Sequence, residues 1–190
     1  MAWTPLQTRA NRIAFSVRSG NGLLAFEDET NGYEFIVNRT LTVTNLGLFD
    51  FGNDGLAQSH AVTIWTSTGT QLVQATIPAG TGGTLIGGFR YVSIAPFLLV
   101  PGTYTIGGFY GAGPDRFLDD ASFRNAIEVL YNGNKTAAGF TFPRLRQGRN
   151  GFFGPNFQFI HVSIPDSGST VSLLGFGLLG LAVLRHKLRC

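Results

Sequence analysis

Between Leu23 and Ser163 strand signals recur every 8–15 residues, with Gly, Pro, Asn and Asp gathered between them. Punctuation this dense suits short antiparallel strands folded as a sandwich or jelly roll. Gln71–Ile77 sets Val73, Ala75 and Ile77 on one face against Gln74 and Thr76 on the other, the two-residue period of a half-buried strand. His60–Trp65 pairs with it across Thr66-Ser67-Thr68-Gly69-Thr70, a hairpin-sized link containing Gly. Pro101-Gly102 turns the chain into Thr103–Gly107, where Tyr104 and Ile106 share a face. Further strands are predicted at Tyr33–Val37, Arg39–Phe49, Phe89–Ile94, Ile127–Tyr131, Gly139–Phe142 and Phe157–Ser163. One segment competes: Asp119–Leu130, opened by acids and holding Ala121, Phe123, Ala126 and Leu130, fits a helical turn or a strand.

Composition supports the β reading. Glycine is 26 of 190 residues, and charged residues are only 13%, about half of an ordinary domain's ~25%. A helical bundle would draw on Ala, Glu, Lys and Leu; this chain draws on 17 phenylalanines. Apolar residues at 44% suffice for one core in a chain of this length. The single cysteine, Cys190, excludes an internal disulfide and a cysteine-cluster metal site.

The net charge of +3 raises the question of nucleic acid, and its distribution answers it. Residues 1–19 contribute +3 and residues 164–190 contribute +2, while residues 20–163 carry eight basic and ten acidic groups. A nucleic-acid footprint belongs on the folded domain, and that part is slightly acidic. Arg144, Arg146 and Arg149 beside Phe152 and Phe153 interleave charge with rings, but three arginines in a loop read as solvated surface, and no nucleic-acid partner is expected.

The chain divides into three parts: residues 1–22, 23–163 and 164–190. The first shows no periodicity. A secretory signal needs a basic start and about 7–15 apolar residues, and Ile13–Val17 is too short; the expectation is a miscalled start with an export signal upstream of Met1. The third part opens with the polar, turn-forming residues 164–170. Val171–Leu184 follows, 14 residues with six leucines and no charge. As a helix it spans about 21 Å, and Gly168–Thr170 extend it towards a ~30 Å hydrocarbon core. Its leucines, valines and phenylalanine favour insertion by about 3–5 kcal/mol before the glycine cost. A buried core helix is the alternative at this length. The run is apolar on every side, however, where a core helix of a small domain needs a polar face. It also ends in Arg185-His186-Lys187-Leu188-Arg189, and the basic cations Arg185, Lys187 and Arg189 suit snorkelling to headgroups on the cytoplasmic side. The fold expected is therefore all-β, an antiparallel sandwich followed by one C-terminal hydrophobic helix.

Ile164-Pro165-Asp166-Ser167-Gly168, the apolar run and the basic end, in that order, resemble the PEP-CTERM group of bacterial C-terminal sorting signals in its VPDSG variant, with Ile for Val at the first position. The resemblance implies an exosortase, a membrane-embedded cysteine peptidase or transpeptidase, as processing partner, with cleavage near Pro165–Gly168. It implies an inner-membrane stage through a single span and then a cell-surface or extracellular destination. A looser likeness, carried by Leu46–Asp50, Asp54–His60, Ile64-Trp65, Pro101–Tyr104 and Phe152–Phe157, is to uncharacterised β-sandwich ectodomains of the envelope or matrix. It names no reaction.

Chemistry within the middle part is sparse. Asp50, Asn53 and Asp54 have the flavour of a calcium loop, but an EF-hand needs a ligand at Gly52 and a glutamate at Ala61, and an Asn/Asp/Gly turn explains them. Glu27-Asp28-Glu29 and Asp119-Asp120 are the carboxylates available to a hydrolase. His60 and His161 have no Gly-x-Ser-x-Gly elbow or His-Glu-x-x-His partner and read as structural histidines at strand ends. Trp65, Tyr91, Tyr104 and Tyr110 are candidates for a sugar-stacking platform on exopolysaccharide, against the plainer reading that they pack in the core. No catalytic residue, metal or cofactor is assigned; the reading is a non-enzymatic exported β-domain, with a carbohydrate-binding module as the alternative.

Overall fold

The computed structural model describes residues 10–25, 28–148 and 151–161, and among them there are only strands and turns. All pairings between strands are antiparallel. One sheet runs β12 (Leu145–Gln147), β11 (Val129–Ala138), β3 (Glu29–Val37), β9 (Gly102–Tyr110), β5 (His60–Thr66), β6 (Gln71–Ile77). A second runs β1 (Arg12–Ile13), β13 (Pro155–His161), β4 (Leu41–Phe49), β8 (Phe89–Leu99), β7 (Thr84–Ile86). A ribbon of β2 (Phe15–Leu24) and β10 (Arg116–Asn125) stands apart from both.

The two large sheets face each other. Phe35 of β3 meets Phe157 of β13 with ring centroids 5.0 Å apart, and a Cβ placed on Gly108 of β9 would come within 2.6 Å of Leu48 Cδ1 on β4. The alternation read for β5, β6 and β9 points Val62, Ile64, Ile77 and Ile106 into this interior, all fully buried. At the ribbon's end the core is closed by rings: Phe15 lies 5.0 Å from Tyr33, Phe123 lies 4.7 Å from Phe153, and Tyr131 lies 5.0 Å from Phe123. Pairs of this kind contribute about 0.5–1.5 kcal/mol each beyond their buried area, which gives the phenylalanine content its structural use.

The predicted hairpin forms in the expected register, His60 opposite Ile77 and Ile64 opposite Val73. Its link is closed by Thr66 N–H donating to Thr70 O at 2.9 Å, with Gly69 at φ +98°, where a side chain would be strained. The other predicted strands appear as β3, β4, β8, β11 and β13, several of them longer than predicted.

Four features differ from expectation. Residues 12–22 hold β1 and much of β2 rather than irregular chain: β1 pairs with β13 and β2 pairs with β10 along its length, so strand structure is already present at Arg12, ahead of Leu23. Asp119–Leu130 is the end of one strand, a turn and the start of another. Asp120 takes a left-handed φ of 48° inside a bulge, an extra residue that broke the two-residue period and imitated helical spacing. Gly139–Phe142 is not a strand but a strap over the outer face of the six-stranded sheet. Thr30 Oγ1 donates to Gly139 O at 2.7 Å and accepts from Thr141 N–H. β7 and β12, three residues each, were too short to read. The predicted C-terminal helix lies outside the described residues.

Candidate functional site: the end of β13 and the sorting motif

β13 is held between β4 and β1, and its last residue, His161, stands opposite Leu41. Beside it Glu128, in the turn between β10 and β11, is almost wholly buried. That turn is set by Val129 N–H donating to Ala126 O and by Asn38 N–H donating to Glu128 O. Both ends of the β body converge on this carboxylate. Arg12 Nη1 and His161 Nε2 each lie 2.5 Å from Glu128 Oε1, and the Arg12 guanidinium also sits over the Phe159 ring at 5.9 Å. Burial works against the charged form of Glu128. The hydrogen bonds from its own backbone and from His161, with the charges of Arg12 and His161, outweigh it and hold the carboxyl below the usual range. The arrangement ties β1, the turn before β11 and the end of β13 together. The sorting motif Ile164, Pro165, Asp166, Ser167 and Gly168 begins three residues on, and it lies outside the described residues, as do Val171–Leu184 and the basic Arg185, Lys187 and Arg189.

The calcium-loop candidate has a different occupant. Asp50 is buried, and Arg90 Nε donates to its Oδ2 at 2.7 Å while Gly55 N–H approaches both carboxylate oxygens at 3.2 and 3.1 Å. The same guanidinium reaches the carbonyls of Asn53 at 3.2 Å and Gly83 at 3.3 Å. The oxygens a cation would use are thus taken by a fixed positive charge. Asn53 is there for its left-handed backbone, φ 62°, and Asp54 points to solvent. Among the described residues no three His, Cys, Asp or Glu side chains group as metal ligands. Nothing local in the sequence announces Arg90, which is forty residues away.

The remaining candidates are used structurally. His60 is enclosed, with Nδ1 2.9 Å from Phe109 O and Nε2 2.8 Å from Asp115 Oδ2. Asp115 in turn accepts from the backbone of Ala57 and Gln58. The pair resembles the base and orienting acid of a hydrolase, but both ring nitrogens are occupied, so none is left to take a proton from a nucleophile. Asp28 holds a left-handed bend, φ 49°, and Asp120 the left-handed position of the β10 bulge, φ 48°; Asp119 is buried near Tyr131, and Glu29 accepts from Asn31 Nδ2 at 2.7 Å; Glu27 lies outside the described residues. Two arginines of the basic stretch have partners as well, and Arg149 lies outside the described residues. Arg146 donates to Glu34 Oε1 at 2.6 Å, Lys135 Nζ lies 3.1 Å from Oε2 of the same carboxylate, and Arg144 lies over the Phe142 ring.

Trp65, Tyr91 and Tyr104 do not make a platform. All three are buried, 4%, 2% and 9% exposed. Tyr104 donates its hydroxyl to Val100 O at 2.9 Å, Tyr91 packs on Phe89 in the other large sheet, and Trp65 lies beneath the strap. Phe142 reaches the Trp65 ring edge-on at 6.1 Å, and the close approach requires Gly107, whose added Cβ would meet Trp65, Thr30 and Pro143. Tyr110, also buried, leans against His60. What the surface offers instead is a groove of about 270 Å³ between β2, the loop after β4 and the turn before β8, lined by Arg18, Ser19, Phe49, Phe51 and Leu118.

With this geometry in place, the comparisons identify the tail. Residues 163–188 match the VPDSG-CTERM motif, a variant of the PEP-CTERM-type sorting signal. No curated protein and no solved structure matches the chain. A signal of this type implies exosortase processing, membrane anchoring before it and export after it. Among the described residues no helix is long and apolar enough to cross a membrane; the predicted span falls within the matched tail.

Proposed function

We propose that this chain is a non-enzymatic surface protein whose β-domain is delivered to the cell surface or exopolysaccharide matrix when an exosortase cuts it from its membrane anchor. The observation that carries the reading is the sorting motif, which starts almost at once after β13. The physical steps are simple. Val171–Leu184 holds the chain in the bilayer, and the basic end keeps that helix from sliding through, because moving its cations across hydrocarbon is costly. Pro165 disfavours a helical Ile164 and Asp-Ser-Gly favours a turn, so the segment enters a protease site extended. The domain stays folded, because β13 is pinned by β1 and β4 and closed off by the Glu128 contacts. The non-enzymatic part of the reading is supported by the buried His60, Asp50 and Glu128, each committed to structural partners. Replacing Pro165 by Ala, or deleting Arg185–Arg189, is expected to leave unprocessed, membrane-bound protein in a host with the cognate exosortase. Normal release of both variants would overturn the assignment.

The second reading is glycan binding, favoured by the groove with its half-exposed Phe51 rather than by Trp65. A glycan array probed with the exported protein and with the Phe51→Ala variant tests it. Binding that Phe51→Ala abolishes would support the groove, and no binding to any matrix polymer would remove it.

A further inference from the structure

Among the described residues the two large sheets end in four edge strands, and three of them are protected. β1 has two residues and carries Arg12. β12 has three and carries Arg146, with Arg144 just before it. β7 has three and runs straight into Gly87 and Gly88, both with left-handed backbone. β6 is different: seven residues, Gln-Leu-Val-Gln-Ala-Thr-Ile, with no charge, proline or glycine, and among the described residues it pairs only with β5. Proteins blunt exposed edges with charge, shortness or distortion, because an open row of N–H and C=O groups templates another strand. Among the edges of the two large sheets β6 is the longest, and from Val73 to Ile77, beyond an irregularity at Leu72, it pairs regularly with β5 and carries none of these protections.

We propose that two copies of this chain associate through β6, the strands pairing antiparallel about a two-fold axis at Gln74. The pattern of the strand selects that register. Val73, Ala75 and Ile77 face the core and Gln74 and Thr76 face outward, and residues opposite each other in an antiparallel pair lie on the same face. A two-fold between residues would set an inward side chain against an outward one. A two-fold on Gln74, the centre of the strand, sets Val73 against Ala75 of the second copy and keeps the central pairs clear of the irregularity at Leu72. The two glutamines meet on the solvent face, where amides pair without a charge penalty. The six-stranded sheet then continues across the axis, and the contact is self-complementary, as a closed dimer requires. The proposal does not depend on exosortase processing.

The test uses the full chain in detergent, with Cys190→Ser so that introduced cysteines act alone. At the axis the two copies of residue 74 lie about 4.5–5.5 Å apart at Cα, inside the range a disulfide bridges. The two copies of residue 71 lie about 20 Å apart along the strands. Mild oxidation is expected to turn Gln74→Cys into covalent dimer while Gln71→Cys and the hairpin-tip variant Thr68→Cys stay monomeric, all three showing the same β circular dichroism. Cross-linking of Gln74→Cys no faster than Thr68→Cys would overturn the register and the interface. A second measurement avoids cysteine: Gln74→Lys should capture tagged Gln74→Glu about fivefold better than it captures tagged Gln74→Lys, since like charges directly opposite destabilise a strand pair and opposite charges favour it. Equal capture would contradict the proposal, since association through the membrane tail cannot tell the two apart.

Discussion

Asp50 and Glu128 are both buried carboxylates held by cations, yet the two sites secure different things. Asp50 is closed by Arg90, itself only 6% exposed at the side chain, and the pair joins loops within one end of the sandwich. Glu128 is closed by Arg12 and His161, which are 45% and 33% exposed and come from opposite ends of the described chain. The first is an interior clip that stands in for a metal. The second is a fastening at the margin of the fold, which water partly screens. The same ion-pair chemistry therefore ought to weigh far more at Asp50 than at Glu128, and the difference is measurable.

The largest effect is expected from Arg90→Ala, which strands the Asp50 carboxylate in the interior. Breaking one partner of a buried pair costs about 3–5 kcal/mol, a fall in melting temperature of roughly 6–20 °C for a domain of this size. A loss below about 1 kcal/mol in urea unfolding would mean that water or a cation fills the place, and the clip reading would fail. Glu128→Gln should cost less, about 1–3 kcal/mol, because the carboxylate is buried but its partners are not. It should also change the pH profile. The folded carboxyl titrates below its unfolded value, so its contribution is complete above the ordinary carboxylate range and disappears as pH falls through the lowered value. Glu128→Gln should flatten that acid limb; an unchanged limb would show that Glu128 does not sense pH. Arg12→Ala should cost at most about 1 kcal/mol, as half-exposed ion pairs do, and a larger loss would place Arg12 with the interior group. Smallest of all is calcium: because Arg90 fills the Asp50 loop, neither added Ca²⁺ nor a chelator should move the melting temperature. A Ca²⁺-dependent rise would break the contrast outright.

The features visible in the sequence were those encoded locally. β5 and β6 alternate cleanly and are joined by a short Gly-containing link, so the hairpin could be read with its register. The tail was legible because its three parts lie in linear order. β4 was found, but its apolar positions shift from 41 and 43 to 46 and 48 across an irregularity between Val43 and Asn45, which alternation alone does not show. β2 was missed: it lies mostly at the surface, includes Gly20 and Gly22, and owes its extended form to β10, about a hundred residues later. The contacts at Asp50 and Glu128 were hidden for the same reason, since Arg90, Arg12 and His161 come from distant strands. For Trp65 the sequence leaves a sugar platform standing beside the plainer core reading, because the strap that covers it, Gly139–Phe142, reads as a strand when taken alone.

Delivery of the β-domain to the surface requires that the tail be an anchor to be removed. The most direct test is the intact mass of the protein, expressed behind a working signal peptide in a host with and without the cognate exosortase. With the enzyme, the product should end near Pro165–Gly168 and lack Val171–Cys190; without it, the full tail should remain and the protein should stay with the membrane. A mass that still includes Val171–Cys190 in the presence of the enzyme would contradict the account.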